Sequence, residues 1–121
     1  MPSVEVIFYE TRSGVCPAQE FLDSLDAKMW AKMARAVNML TCNGNRLREP
    51  YSKPLGDGIF ELRHRPRGDI SRVLYFFFVG NKAILTNGFI KKTQKTPSSE
   101  IDRAKRYRSD FLERSENNEE I

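Results

Sequence analysis

Seven consecutive apolar residues, Val73-Leu74-Tyr75-Phe76-Phe77-Phe78-Val79, constrain this chain more than any other feature. The run is far short of the roughly 20 residues that span a bilayer, and its β-branched and aromatic content suits a strand. It predicts a central strand from Ile70 to Val79, with most of the Tyr75 to Phe78 block in the core. Gly80-Asn81 then reads as a two-residue hairpin turn, and Lys82 to Ile90 as the returning strand. Upstream, Ile59 to Arg65 reads as a strand joined to the central one by a turn at Pro66-Arg67-Gly68-Asp69. These three segments make an antiparallel meander, preceded by a loop holding Pro50, Pro54, Gly56 and Gly58.

The flanks have a different period. Val4 to Tyr9 is rich in strand formers, stops at Glu10-Thr11-Arg12-Ser13-Gly14, and is expected to pair within the same sheet. From Pro17 onward, Phe21, Leu22, Leu25, Met29, Met33, Val37 and Leu40 recur at steps of three and four, the stripe of two amphipathic helices. Asp26 is placed to cap the second helix, and Asn43-Gly44 to end it. Thr96-Pro97 predicts a cap followed by a first-turn proline, and Ile101, Ala104, Tyr107 and Phe111 mark the buried side of a last helix. The expected fold is α+β, a small antiparallel sheet with two N-terminal helices and a C-terminal helix packed on it. At 121 residues this is one domain, placed at residues 1–114, with an acidic flexible tail at 115–121.

Charge narrows the function classes. The net charge is +4, but residues 45–110 hold 15 Lys and Arg against 7 Asp and Glu, while the rest of the chain holds 5 against 9. A basic stripe of this kind favours a polyanion, because neutralising phosphates releases their counterions; the alternative is a solvated charged face. One histidine and no paired cysteine spacing speak against a zinc site. Cys16 and Cys42 would stay reduced in the cytosol, and their spacing leaves a bridge between them open. No export signal opens the chain, so a cytoplasmic location with no membrane partner is expected.

Strand alternation sets Ile59, Glu61, Arg63 and Arg65 on one face and Phe60, Leu62 and His64 on the other. With the aromatic and leucine side in the core, Arg63 and Arg65 point together toward solvent or a cleft, where two guanidinium groups can grip phosphate oxygens. Arg72 approaches them across the turn, with Tyr75 and Phe77 on the opposite face. His64 could serve as a general base, but its parity places it with the packed residues. The densest cluster is Phe89-Ile90-Lys91-Lys92-Thr93-Gln94-Lys95-Thr96-Pro97, three lysines beside a helix N-terminus whose backbone N–H groups already favour an anion.

Taken in order, Lys53-Pro54-Leu55, Gly58-Ile59-Phe60-Glu61-Leu62-Arg63, Arg72-Val73-Leu74-Tyr75-Phe76 and the lysine segment with Glu100-Ile101, Ala104 and Arg108 resemble the phage-derived branch of the RelE/HigB toxins over about residues 4–114. The resemblance implies the toxin of a type II toxin–antitoxin system, an mRNA interferase that cuts messenger RNA in the ribosomal A site without a metal or other cofactor. It further implies attack by the ribose 2′-hydroxyl, with Arg63, Arg72, Lys92 and Lys95 as catalytic candidates and Lys53, Arg65, Arg67 and Lys91 as RNA-binding ones. Glu61 is a further base candidate, and Tyr107 the late tyrosine available as an acid. The implied partners are a helix-turn-helix, HigA-like antitoxin, the ribosome and messenger RNA. Two other readings share the charge pattern: a basic module that blocks translation without cutting, and a DNA-binding protein, supported only by Arg103, Lys105, Arg106 and Arg108 on the last helix.

Overall fold

The structure, a computed structural model, describes residues 3–64 and 70–117. In chain order they form β1 (Glu5–Phe8), α1 (Pro17–Asp23), α2 (Ala27–Asn43), β2 (Ser52–Gly56), β3 (Ile59–Leu62), β4 (Ser71–Phe78), β5 (Lys82–Ile90) and α3 (Ser98–Glu116), with a 3-10 turn over Gly44–Arg46. The five strands make one sheet in the order β1-β5-β4-β3-β2. Among the described residues no helix is long and apolar enough to cross a membrane.

The fold is α+β as expected, but the sheet is mixed, not antiparallel throughout. β2 to β5 run antiparallel to their neighbours, whereas β1 lies parallel to β5, Glu5 against Lys82 and Phe8 against Leu85. Two helices and three strands separate β1 from β5, and a return of that length allows a parallel edge that a short turn would forbid. The segment expected as a loop contains β2. Its turn is Asp57-Gly58, both at positive φ (54° and 80°), the Asp-Gly pair that two-residue hairpins favour. The β4–β5 turn is one residue longer than expected, because Val79 joins Gly80 at positive φ (46° and 80°) and only Lys82 re-enters the ladder opposite Phe78.

Helices cover both faces of the sheet. Ala18 and Leu22 of α1 and Met33, Ala36 and Leu40 of α2 pack with Leu62, Val73, Tyr75, Ala83 and Leu85 on one face. Ala104 and Phe111 of α3 pack with Tyr9, Ile59, Leu74, Phe76, Ile84 and Phe89 on the other. The expectation that Phe60 and Leu62 face a core holds, while on the other face, expected to look toward solvent or a cleft, Ile59 is covered by α3 and Glu61 is buried beside Thr96. α1 sits close to β5 at Gly88: a Cβ there would lie 2.2 Å from Cδ2 of Phe21, so the ring occupies the notch that glycine leaves.

A bulge at Thr86 matters more than its size suggests. Leu74 pairs with Asn87 and Tyr75 with Leu85, so Thr86 is the extra residue, its hydroxyl donating to the Leu74 carbonyl at 3.1 Å. Before it, Ile84 faces α3; after it, Asn87 and Phe89 do. The side-chain period of two is reset by one, and Lys91 is delivered to the α3 side of the sheet.

α2 begins as predicted, with the Met29 amide donating to Asp26 Oδ1 at 2.8 Å, and ends at Gly44. α3 does not begin as predicted. Pro97 is the residue before its first turn and makes no side-chain cap, while the Thr96 hydroxyl points into the sheet and bonds Glu61. Polar ties along α3 include Asn87 Nδ2 donating to Glu100 Oε1 (3.0 Å) at its start, Lys105 paired with Asp57 (2.8 Å) midway, and near its end the Tyr9 hydroxyl donating to Asp110 (2.6 Å), beside Arg12 (3.3 Å). The helix continues to Glu116, past the tail boundary placed at 114. Cys16 and Cys42 are free thiols.

Candidate functional site

Where β3, β4 and β5 end beyond the first turn of α3, the sheet's α3 face is no longer roofed, and side chains from three strands meet an open cleft of about 570 Å³. Arg63, Ile70, Arg72, Lys91, Lys92, Thr93 and Gln94 line it. The ladder explains the convergence. Glu61 stands opposite Leu74, and Leu74 opposite Asn87; two residues further along, Arg63, Arg72 and Phe89 continue the same face, with Lys91 next after Phe89. The ladder is extended at this end by the Arg63 amide to the Tyr51 carbonyl (2.8 Å) and the Lys91 amide to the Ile70 carbonyl (2.7 Å).

Beneath the cations lies one buried carboxylate. Glu61 is 0% exposed, and its Oε1 is 3.5 Å from Arg72 Nε and 3.4 Å from Lys91 Nζ, both side chains 7% exposed. Its Oε2 accepts the Thr96 hydroxyl. A second contact fixes Arg72, whose Nη1 donates to the Ser71 carbonyl at 2.8 Å. A buried ion pair of this kind gives little net stability, because desolvation offsets the attraction, but removing one partner strands the other at a cost of about 3–5 kcal/mol. Its contribution is therefore to geometry. Glu61 has no exposed surface with which to take a proton from a substrate, so its candidacy as a general base is withdrawn.

Of the candidate cations, Arg63, Arg72, Lys91 and Lys92 come together in the cleft. Arg63 pairs with exposed Glu49 at 3.6 Å, and its side chain, 11% exposed, points into the cleft, the second of the two placements its parity allowed. Lys92 is exposed at the mouth. Lys95 lies in the same connection, exposed, but does not line the cleft; the Thr93 hydroxyl donates to its carbonyl at 2.8 Å. Lys53 stands opposite Glu61 on β2, exposed and likewise outside the lining. Arg65 and Arg67, and the turn at residues 66–69, lie outside the described residues.

The aromatic candidates are elsewhere. Tyr107 stacks on Tyr9, ring centroids 4.8 Å apart, as part of the α3 packing. His64 lies 6.3 Å from Tyr51, which packs against the α1 and α2 core, as its parity predicted. Tyr75 and Phe77 are on the face opposite Arg72. Thr96, Ile70 and Gln94 are the site residues that residue-type reasoning missed. For Thr96 the available signal was weak, since a Thr-Pro pair before a helix most often marks a cap.

A five-stranded mixed sheet between two helical layers, with four cations lining a cleft at the open strand ends, defines a small basic α+β domain. Residues 20–109 match the family described as phage derived protein Gp49-like (DUF891), and the chain belongs to this family of RelE/HigB-like toxins. Every cation lining the cleft falls within the matched span. Comparison with curated proteins gives no match.

Proposed function

We propose that this protein is the toxin of a type II toxin–antitoxin system, a ribosome-dependent endoribonuclease of the HigB-like branch that cleaves messenger RNA through the ribose 2′-hydroxyl. The observation that carries this reading is the convergence of Arg63, Arg72, Lys91 and Lys92 on one open cleft. Cleavage by the 2′-hydroxyl passes through a dianionic pentavalent phosphorane, and cations fixed before the reaction stabilise that charge without reorganising. In this reading Arg63 and Arg72 hold the phosphorane oxygens, and a bidentate guanidinium fits them better than an ammonium. Lys92, exposed at the mouth, carries proton transfer or charge stabilisation, while Lys53, Lys95, Arg65 and Arg67 contact flanking phosphates. The ribosome presents the message, and a helix-turn-helix antitoxin restrains the toxin. No metal or cofactor enters the scheme, and the protein acts in the cytoplasm.

A second reading, a basic module that occupies the ribosome or its message without cutting, has one observation in its favour. Among the described residues lining the cleft there is no histidine or tyrosine to act as the general acid.

Primer extension on a translated message after brief induction separates the two. The wild-type chain should produce new 5′ ends within codons, only on translated message. Arg63→Ala is the most informative variant, since Arg63 pairs with exposed Glu49 and not with Glu61. Arg63→Ala and Arg72→Ala should each reduce cleavage by about 10²–10³, the usual cost of removing one preorganised charge-stabilising group. Growth arrest without new 5′ ends would establish the non-cleaving reading.

A further inference from the structure

A carboxylate under a phosphate-binding cleft works against affinity, because it removes one unit of the positive charge that attracts a polyanion. Glu61 is such a carboxylate, and it is not incidental: both of its oxygens are engaged and it is completely buried. Arg72 Nε and Lys91 Nζ approach the same oxygen, at 3.5 and 3.4 Å, so the two nitrogens are held within about 7 Å of each other. Without the shared anion, two cations this close in a site of low dielectric would repel one another and separate. The other oxygen ties Thr96, at the far end of the connection that carries Lys92. One side chain thus reaches Arg72 on β4, Lys91 after β5 and, through Thr96, the strand-to-helix connection, while Arg63 on β3 pairs with Glu49 instead.

We propose that Glu61, with Thr96, is the positioning residue of this cleft: it gives up binding strength and in return fixes the spacing of Arg72 and Lys91 across one phosphate. The proposal rests on the reading of the cleft as a phosphodiester-cleaving site. It makes a prediction that neither a charge-tuning role nor a purely structural role shares. In Glu61→Gln, affinity for RNA should stay the same or tighten, while the cleavage step slows.

The test uses the full-length chain, wild type, Glu61→Gln and Thr96→Val, with a short oligoribonucleotide for binding and ribosomes programmed with messenger for cleavage. Glu61→Gln should lose about a hundredfold in kcat, the size of effect that a misplacement of about 1 Å produces, with a dissociation constant for the oligonucleotide no weaker than that of the wild type. Thr96→Val should lose about tenfold in kcat with unchanged affinity. If Glu61→Gln cleaves as well as the wild type, the carboxylate only tunes charge and the proposal fails. If kcat and affinity fall together in proportion to lost folded protein, its role is structural and the proposal fails equally. An NMR measurement is independent of activity: the Lys91 ammonium protons, whose nitrogen donates to Glu61 Oε1, should exchange slowly with water in the wild type and quickly in Glu61→Gln. Equal exchange in the two proteins overturns the positioning role. A wild-type chain that binds but never cleaves defeats the nuclease reading instead, and the exchange measurement then decides the positioning role alone.

Discussion

Tyr9 and Asp110 show how single residues set the pH range of the fold. Burial and the bond to Asp110 push the Tyr9 phenol up from its ordinary 10 to about 12. Tyr75, buried against Ser52, rises to about 12 as well, with the Ser52 hydroxyl and Arg48 opposing the shift. Asp110 moves the other way: burial would raise it, but the Tyr9 hydroxyl, Arg114 and Arg12 together hold it below the usual carboxylate range. The signs follow from linkage. The tyrosine contributions are complete below pH 10 and disappear as the pH climbs from 10 to about 12. The Asp110 contribution is complete above the ordinary carboxylate pKa of about 3.9 and disappears as the pH falls through its lowered folded value. Urea midpoints should therefore be level between roughly pH 5 and 9 and decline on both sides. Tyr9→Phe keeps the stack on Tyr107 but removes one ionisable hydroxyl, so its alkaline decline should be shallower; a decline identical to the wild type's would show that Tyr9 is not its source.

Among the elements, β5 separates what the sequence discloses from what it conceals. Its span, Lys82 to Ile90, follows directly from the turn residues and the apolar content, and the structure has the same bounds. The bulge inside it does not follow, because Thr86 is an ordinary strand former and no glycine marks the site. Lys91 was consequently identifiable as a cation near the cleft but not as one facing Glu61. For Arg63, alternation gave the face, toward solvent or a cleft; that α3 covers the rest of this face and leaves a cleft at Arg63 is a matter of long-range packing. β2 was overlooked although Asp57-Gly58 announces its turn, since Pro54 and three nearby turn formers suggested a loop. The bulge offers a direct test. Thr86→Ala removes one hydrogen bond and should cost about 1 kcal/mol. Deleting Thr86 places Asn87 directly after Leu85, so the alternation becomes regular, Asn87, Phe89 and Lys91 keep the α3 face, and the cost should stay within about 1–2 kcal/mol of that of Thr86→Ala. Chemical denaturation of the two variants checks this, and a deletion that costs about 3–5 kcal/mol, the loss of a buried phenylalanine, would mean that Phe89 had left its core.

At the scale of the whole molecule, the sheet acts as a partition between two cores that share no helix, α1 and α2 on one side and α3 on the other. Four of the cations of residues 45–110, Arg63, Arg72, Lys91 and Lys92, meet on a stretch of sheet that neither layer covers. The four residues were legible as candidates from strand parity and the lysine segment; the partition that opens a cleft around them depends on packing between distant segments, and no local pattern records it. The Phe21 ring seated over Gly88 is one such long-range fit, joining the first helix to the last strand. A side chain at 88 has nowhere to go while the ring is present, so Gly88→Ala should cost about 1–3 kcal/mol by overpacking, and Phe21→Leu in the same chain should recover part of the loss. Relatives within the matched span should carry the same bargain as a correlation: where position 88 has gained a side chain, position 21 will have given up its ring.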